Sequence, residues 1–260
     1  MSLVREVRRS LLVGYGMFRM HLTSYLSSTL NALLWMTLFL APSVVFSSDP
    51  LSALLYLTPP VIGVNIVLLS IGLSQEYVTW LSEGGELDDL RLANLTLWKY
   101  VAATFPFDFL VVGFAPFLLS ALLLSWYLGI APTWLFRLNA ALFALSIPVL
   151  MASGLLMASL IGLLYLKNPL ARAVSQVIQI LFVVVLFLPP RYLPEQYMAL
   201  LVPGLVAVEL LRASFGSNTI STSLLVSMTV PAVISYLLLS LLASRLVEKH
   251  FLKFGVETRY

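Results

Sequence analysis

The chain has 260 residues, of which 60% are hydrophobic and 10% charged, and its formal net charge is +3. An ordinary soluble domain has roughly 25% charged residues, so these proportions exclude a soluble globular surface. Long uncharged runs such as 138–166 do not alternate apolar and polar residues, which excludes a transmembrane β-barrel and predicts membrane-spanning helices. The basic residues flank these runs, so we expect their partner to be a lipid bilayer and not nucleic acid.

Metal and thiol chemistry has little support in the composition. The chain contains no cysteine, which excludes disulfides and thiolate ligands. The two histidines, His21 and His250, stand near opposite ends of the chain. No nucleophile with a base and no facing pair of carboxylates is apparent, so we expect neither an enzyme nor a cofactor bound by this chain.

Residues 1–22 predict an amphipathic helix in the headgroup layer. Apolar side chains recur at helical spacing, and the arginines fall mainly on other faces. The apolar set is Leu3, Val7, Leu11, Tyr15, Phe18 and Leu22. Two roles stay open for this helix: an anchor for the terminus, or an element that couples the chain to a partner.

Six largely uncharged runs follow, and each predicts a transmembrane helix. The predicted spans are 24–46, 52–75, 101–127, 138–166, 172–188 and 220–244. A helix needs about 20 residues to cross the hydrocarbon, and the fifth run is near the lower limit. We therefore expect an all-α membrane protein with six transmembrane helices, which form a single transmembrane domain over 1–260.

The distribution of Lys and Arg predicts the orientation. If both termini are cytoplasmic, twelve basic residues lie inside and three, Arg137, Arg191 and Arg212, lie outside. This asymmetry follows the positive-inside rule. We expect a multi-pass protein of the cytoplasmic membrane with both termini in the cytoplasm.

The predicted cytoplasmic loop 76–99 is acidic and contains a short helix signal. Gly84 and Gly85 permit a tight turn, and acids then cluster where the positive end of a helix dipole favours them. Leu87, Leu90 and Arg91 share one face of this helix. The loop is either a docking site for a partner or simply a solvated acidic segment.

The predicted extracellular segment 189–216 contains a second apolar stretch. The residues between Glu195 and Glu209 are uncharged but too few to span a membrane, which favours a re-entrant or interfacial helix. Pro203 and Gly204 are expected to break it into two pieces. The segment is either a helical hairpin that dips into the outer leaflet or an interfacial loop without a function.

These segments together resemble the ABC-2 transporter permeases, the membrane subunits of one class of ABC exporters. That family has a Glu-x-Gly-Thr-Leu-Glu-x-Leu motif after its second span, and this chain has Glu83-Gly84-Gly85-Glu86-Leu87-Asp88-Asp89-Leu90. Glu86 replaces the common threonine, and no proline follows the motif. The extracellular segment is similar through Pro194, Pro203, Glu209 and Arg212, although Val202 stands where asparagine is usual.

The resemblance implies a mechanism and partners. Residues 1–22 correspond to the family's interfacial elbow helix, and 83–92 to a coupling helix in a cleft of a nucleotide-binding ATPase subunit. The implied coupling residues are Glu83, Gly85, Leu87, Asp88, Leu90 and Arg91. A second permease copy, identical or related, completes the transporter. ATP and Mg belong to the partner ATPase, because this chain has no phosphate-binding loop motif.

Polar residues inside the predicted spans are candidates for the substrate path. Asp108 is the one charged residue well inside a predicted span, and it is either functional or a structural hydrogen-bonding group. In the family, spans two and five approach the dimer axis, so the resemblance suggests Asn65, Ser70, Gln176 and Gln179 as path residues. Hydrogen bonding between helices is the alternative for this set.

The cargo and the rival functions follow from what the spans contain. Gly154, Ala158 and Gly162 repeat every four residues, which predicts close helix packing. The fifth predicted span is mainly aliphatic, which favours a hydrophobic or amphipathic cargo such as a drug, lipid or lipopeptide over a polysaccharide. A secondary transporter or channel that works without ATP is the main rival, although no inverted repeat is apparent.

Overall fold

The chain folds into a bundle of long apolar helices. The computed structural model describes residues 11–12, 14–16, 18–19, 22–82, 96–167, 171–188 and 190–254. Within these ranges every regular element is helical. Four helices are long and apolar enough to cross a membrane: Pro50–Gln75, Leu97–Tyr127, Ala140–Tyr165 and Thr222–His250. The architecture is therefore that of an all-helical, multi-pass membrane protein.

The principal helices are numbered here in chain order. They are α1 (Leu22–Val45), α2 (Pro50–Ser82), α3 (Leu97–Phe107), α4 (Ala115–Tyr127), α5 (Ala140–Lys167), α6 (Ala171–Phe187), α7 (Leu205–Ser214) and α8 (Thr222–Phe254). A π-helical turn, Asp108–Phe114, joins α3 to α4 without a break. Short 3₁₀ helices are formed by Pro132–Arg137, Pro190–Tyr192 and Gln196–Leu201.

Two helices extend beyond the spans predicted from charge. The second predicted span stops at 75, whereas α2 continues to Ser82. The sixth stops at 244, whereas α8 continues to Phe254. A charged residue such as Glu76 marks where a helix can leave the hydrocarbon, but it leaves the backbone hydrogen bonds intact. The first and fifth predicted spans coincide with α1 and with α6, which has 17 residues.

The core of the bundle is α5. Its two principal neighbours are α8 and α2, and it also contacts α7, α3 and α6. The small-residue stripe lies where α2 crosses α5: a Cβ on Gly154 would meet the Ser70 Oγ atom at 2.5 Å. Four residues further on, the Ser74 hydroxyl donates to the Ala158 carbonyl at 2.6 Å. The predicted close packing along this stripe is confirmed.

The segment before α1 contacts the bundle through a glycine. A Cβ on Gly14 would lie 2.0 Å from the Ala103 carbonyl oxygen, so the two backbones are in direct contact. Nearby, the Phe18 ring stacks on Phe107 at 5.4 Å between centroids. Leu11 and Tyr15 of the predicted apolar face are exposed. This segment therefore packs on α3 through its small residue and presents large apolar side chains outward.

Candidate functional site

The most distinctive feature near one end of the bundle is the short helix α7, which lies between α6 and α8 in the chain. Every residue of α7, from Leu205 to Ser214, is buried. It follows the short 3₁₀ helix Gln196–Leu201, and the chain reverses at Gly204, whose φ is +90°. A positive φ favours glycine, which explains why the break falls at the Pro203–Gly204 pair. α7 packs against α2, α5 and α8.

Two prolines in α2 leave backbone carbonyls that accept hydrogen bonds from α7 and from the loop that follows it. Pro59 and Pro60 lie inside α2 and have no N–H, so the carbonyls four residues earlier, at Leu55 and Tyr56, lose their helical donors. The Ser217 hydroxyl donates to the Leu55 carbonyl at 3.0 Å. The Arg212 Nε donates to the Tyr56 carbonyl at 3.2 Å. Buried carbonyls need partners, so this segment completes the hydrogen bonding of α2.

Arg212 and Glu209 form a buried ion pair one turn apart on α7. Arg212 Nη1 lies 2.5 Å from Glu209 Oε1, and both side chains have 0% exposure. The guanidinium carbon also lies 4.1 Å from the centroid of the Tyr56 ring, within cation–π distance. The other carboxylate oxygen, Oε2, accepts from the Thr219 amide and hydroxyl at 2.9 Å and from the Ile220 amide at 3.3 Å.

This arrangement is a structural joint between α7 and its neighbours. The two charges compensate each other, and Arg212 Nε and Glu209 Oε2 have further partners, which offsets part of the cost of burial. Among the described residues, the buried Arg212 Nη2 has no hydrogen-bond partner. Arg212 connects α7 to α2, and Glu209 connects α7 to the loop that precedes α8. The pair therefore holds the buried helix to two long helices at once.

A pocket of about 450 Å³ opens beside this joint. Its lining comes from the turn between α1 and α2, from the first turns of α2 and from the end of α7: Ser47, Asp49, Ser52, Ala53, Leu55, Tyr56, Phe215, Gly216 and Ser217. The Asp49 carboxylate accepts from the Ser52 hydroxyl and amide at the start of α2. These bonds hold the pKa of Asp49 below its ordinary value. The acid thus caps a helix at the pocket rim.

The four proposed path residues do not share one surface. Ser70 is 2% exposed, and its hydroxyl donates to the Ile66 carbonyl of its own helix against Gly154. Asn65 is half-buried, and its Nδ2 has no hydrogen-bond partner among the described residues. On α6, Gln176 is exposed and Gln179 is half-buried. The structure thus places Ser70 in the α2–α5 packing and Gln176 on an open face.

The open face of α6 is aliphatic apart from Gln176. Val177, Ile180 and Val184 are each more than half exposed on this face, while Phe182 and Leu186 point into the core. A hydrogen bond of 3.1 Å from Gln75 to Ser175 connects α2 to the first turns of α6. Neither residue was among the predicted site residues, although both are polar and lie close to the ends of predicted spans.

Asp108 lies at the start of the π-helical turn and is 2% exposed. The Tyr25 hydroxyl of α1 donates to its Oδ1 at 2.6 Å. A carboxylate buried among apolar helices needs such a donor. A structural hydrogen bond or a helix-end position was one predicted alternative for Asp108, and a role in transport stays a prediction.

The predicted ATPase-coupling residues lie outside the described part of the chain. These residues are Glu83, Gly85, Leu87, Asp88, Leu90 and Arg91. Of the extracellular motif, Pro194 is exposed in the loop before the 3₁₀ helix Gln196–Leu201, and Pro203 lies at the helix break. Glu209 and Arg212 form the joint described above.

Comparison with known proteins gave no match to a family model, to a curated protein or to a solved structure. Across the described ranges, no group of His, Cys, Asp or Glu side chains is arranged to hold a metal ion.

Proposed function

We propose that this chain is the membrane-spanning permease subunit of an ATP-driven exporter of the ABC-2 kind. In this proposal it has six spans, with α1 and α6 as the first and fifth, and both termini are cytoplasmic. Two permease copies, identical or related, form the substrate path. A separate nucleotide-binding ATPase subunit binds ATP and Mg and drives the cycle.

The observation that supports the proposal most is α7 itself. A short apolar helix, wholly buried near one end of the bundle between the fifth and last long helices, is the expected form of the re-entrant segment of such permeases. The Arg212–Glu209 joint fixes it to α2 and to the start of α8. A helix held in this way can close the outer end of a path while the inner end responds to an ATPase.

The length of two helices and the position of the 83–92 motif support an ATPase on the predicted cytoplasmic side. On the predicted cytoplasmic side, α2 and α8 continue beyond the predicted spans, to Ser82 and Phe254. The motif 83–92 directly follows α2 in the chain. Since an α-helix is a stiff rod of hydrogen bonds, displacement of this motif by an ATPase would be transmitted along α2 to α5 and α7.

The exposed face of α6 supports the choice of cargo. It offers Val177, Ile180 and Val184 with a single amide at Gln176. Aliphatic surface suits a hydrophobic or amphipathic molecule, such as a drug, lipid or lipopeptide, better than a polysaccharide, which stacks on aromatic rings.

The function is tested by purifying the chain from its native membrane in mild detergent and by measuring ATP hydrolysis by whatever is recovered. A recovered ATPase whose rate rises with amphipathic compounds would support the proposal. A rate that rises only with polysaccharide would keep the transporter class and overturn the cargo. A stable species without an ATPase would favour a transporter that works without ATP.

A further inference from the structure

The π-helical turn between α3 and α4 accepts two side-chain hydrogen bonds from α1. Tyr25 and Thr29 lie four residues apart and therefore on one face of α1. The Tyr25 hydroxyl donates to Asp108 Oδ1 at 2.6 Å. The Thr29 hydroxyl shares its proton between the Tyr25 carbonyl of its own helix, at 2.8 Å, and the Val111 carbonyl, at 3.1 Å. Asp108 and Val111 both belong to the π-helical turn Asp108–Phe114.

Pro116 removes one possible helical donor from the Val111 carbonyl. In the π-helical pattern an amide donates to the carbonyl five residues earlier, as the Ala115 amide does to Leu110. The next donor in this pattern would be residue 116, but proline has no N–H. The π-type bond to the Val111 carbonyl therefore cannot form, and the Thr29 hydroxyl of α1 lies 3.1 Å from this carbonyl as a donor from another helix.

The wide turn also aligns a row of aromatic rings. Phe109 and Phe114 are five residues apart, yet their rings stack at 6.3 Å with an angle of 10° between planes. Phe105 and Phe109, four apart, stack at 6.2 Å on the same row. In an α-helix, residues four apart lie in one row. The π-helical turn contains one extra residue, so Phe109 and Phe114, five apart, lie in the same row.

We propose that the π-helical turn is a movable joint in this helix and that Tyr25 and Thr29 of α1 are its latch. The closed latch holds α4 in one orientation relative to α3. Opening the latch breaks the hydrogen bonds from Tyr25 to Asp108 and from Thr29 to Val111, and α4 then moves relative to α3 and to the rest of the bundle. The inference goes beyond the proposed function, and its test uses the isolated chain without any ATPase.

Removal of the extra residue provides a sharp test. Leu110 is 56% exposed, so its deletion takes nothing from the core. In the deleted chain Phe109 and Phe114 become four apart, which keeps the aromatic row in a plain α-helix. The latch is removed separately by combining Tyr25→Phe with Thr29→Val. The matched control is Thr37→Val, since the Thr37 hydroxyl donates to the Leu33 carbonyl within α1.

The measurement is the distance between spin labels on the exposed residues Leu119 and Val226, replaced by cysteine in a chain that has no native cysteine. The chain is placed in lipid nanodiscs and diluted with unlabelled chain, so that only distances within one molecule are recorded. A second label pair at Lys99 and Lys249 reports on the opposite end of the bundle.

We expect one main distance in the unaltered chain and in Thr37→Val. The latch variant should raise the population of a second distance by roughly tenfold, since each interhelical hydrogen bond changes such an equilibrium by several-fold. Deletion of Leu110 in the latch variant should restore one distance, while the Lys99–Lys249 distance stays constant throughout. An unchanged distribution in the latch variant, or a second distance that survives the deletion, would overturn the proposal.

Discussion

Arg212 and Tyr56 are joined twice, through a hydrogen bond of 3.2 Å to the Tyr56 carbonyl and through the contact of the guanidinium with the Tyr56 ring. This carbonyl is the one that Pro60 leaves without a helical donor. The buried helix α7 is thus part of the hydrogen bonding of α2. Arg212 therefore contributes to the stability of the folded bundle.

We predict that Arg212→Leu lowers the free energy of unfolding by about 3–5 kcal/mol, because Glu209 is left as a buried charge without its cation. In a Pro60→Ala background the same change should cost about 1 kcal/mol less, since the new amide donates to the Tyr56 carbonyl. Unfolding in mixed micelles measures both values. Arg245→Leu is the control, because Arg245 is exposed. Equal costs in the two backgrounds would contradict the role of Pro60.

A pair of neighbouring glycines tests the packing of the first segment on α3. A Cβ on Gly14 would clash with the Ala103 carbonyl, whereas nothing lies within 4 Å of a Cβ on Gly16. Gly14→Ala should destabilise the chain by about 1–3 kcal/mol. Gly16→Ala should be neutral or stabilise it by up to about 1 kcal/mol, because alanine favours helix. Melting temperatures in one detergent compare the two, and similar effects would argue against the contact.

The proposed six-span topology, with both termini in the cytoplasm, predicts which exposed positions react from each side of the membrane. Single cysteines at Ser48, in the turn between α1 and α2, and at Lys249, near the end of α8, are both exposed. We expect a membrane-impermeant maleimide to label Ser48→Cys in intact cells and Lys249→Cys only in inverted vesicles. The absence of native cysteine removes background labelling. Labelling of both from the same side would contradict an odd number of crossings between them and, with it, the proposed six-span topology.

The exposure of the path candidates predicts different effects for two of them. Gln176→Ala should raise the concentration of amphipathic cargo for half-maximal ATPase stimulation by about 2–10-fold, as expected for one lost hydrogen bond, and should leave stability unchanged. Ser70→Ala should leave that concentration unchanged, because Ser70 is buried against Gly154. An equal effect of both substitutions on stimulation would show that exposure in the isolated chain does not identify the path.

Uncharged length and the absence of alternation were enough to predict an all-helical membrane protein from the sequence. They did not predict how far α2 and α8 extend, because charges limit the hydrocarbon and not the helix. Nor did they predict the π-helical turn, in which the helix accommodates one extra residue and accepts hydrogen bonds from α1.

The partners of the polar residues were also beyond sequence reasoning, since they are distant in the chain. Tyr25 and Asp108 are 83 residues apart, and Arg212 and Tyr56 are 156 apart. One signal was present: the pair Pro59–Pro60 in a span requires two outside donors, but it does not say which residues supply them. The coupling residues 83–91 stay a prediction from resemblance.

The most direct test of the proposed function is affinity purification of the chain from its native membrane with identification of the proteins recovered. We predict an ATPase with a phosphate-binding loop in equal amount, which is lost when Leu87→Asp is combined with Leu90→Asp. The control is Leu110→Asn, which replaces an exposed apolar residue outside the motif and should keep the ATPase. Recovery of a stable chain without any ATPase, or an ATPase that stays bound to the Leu87 and Leu90 variant, would contradict the account.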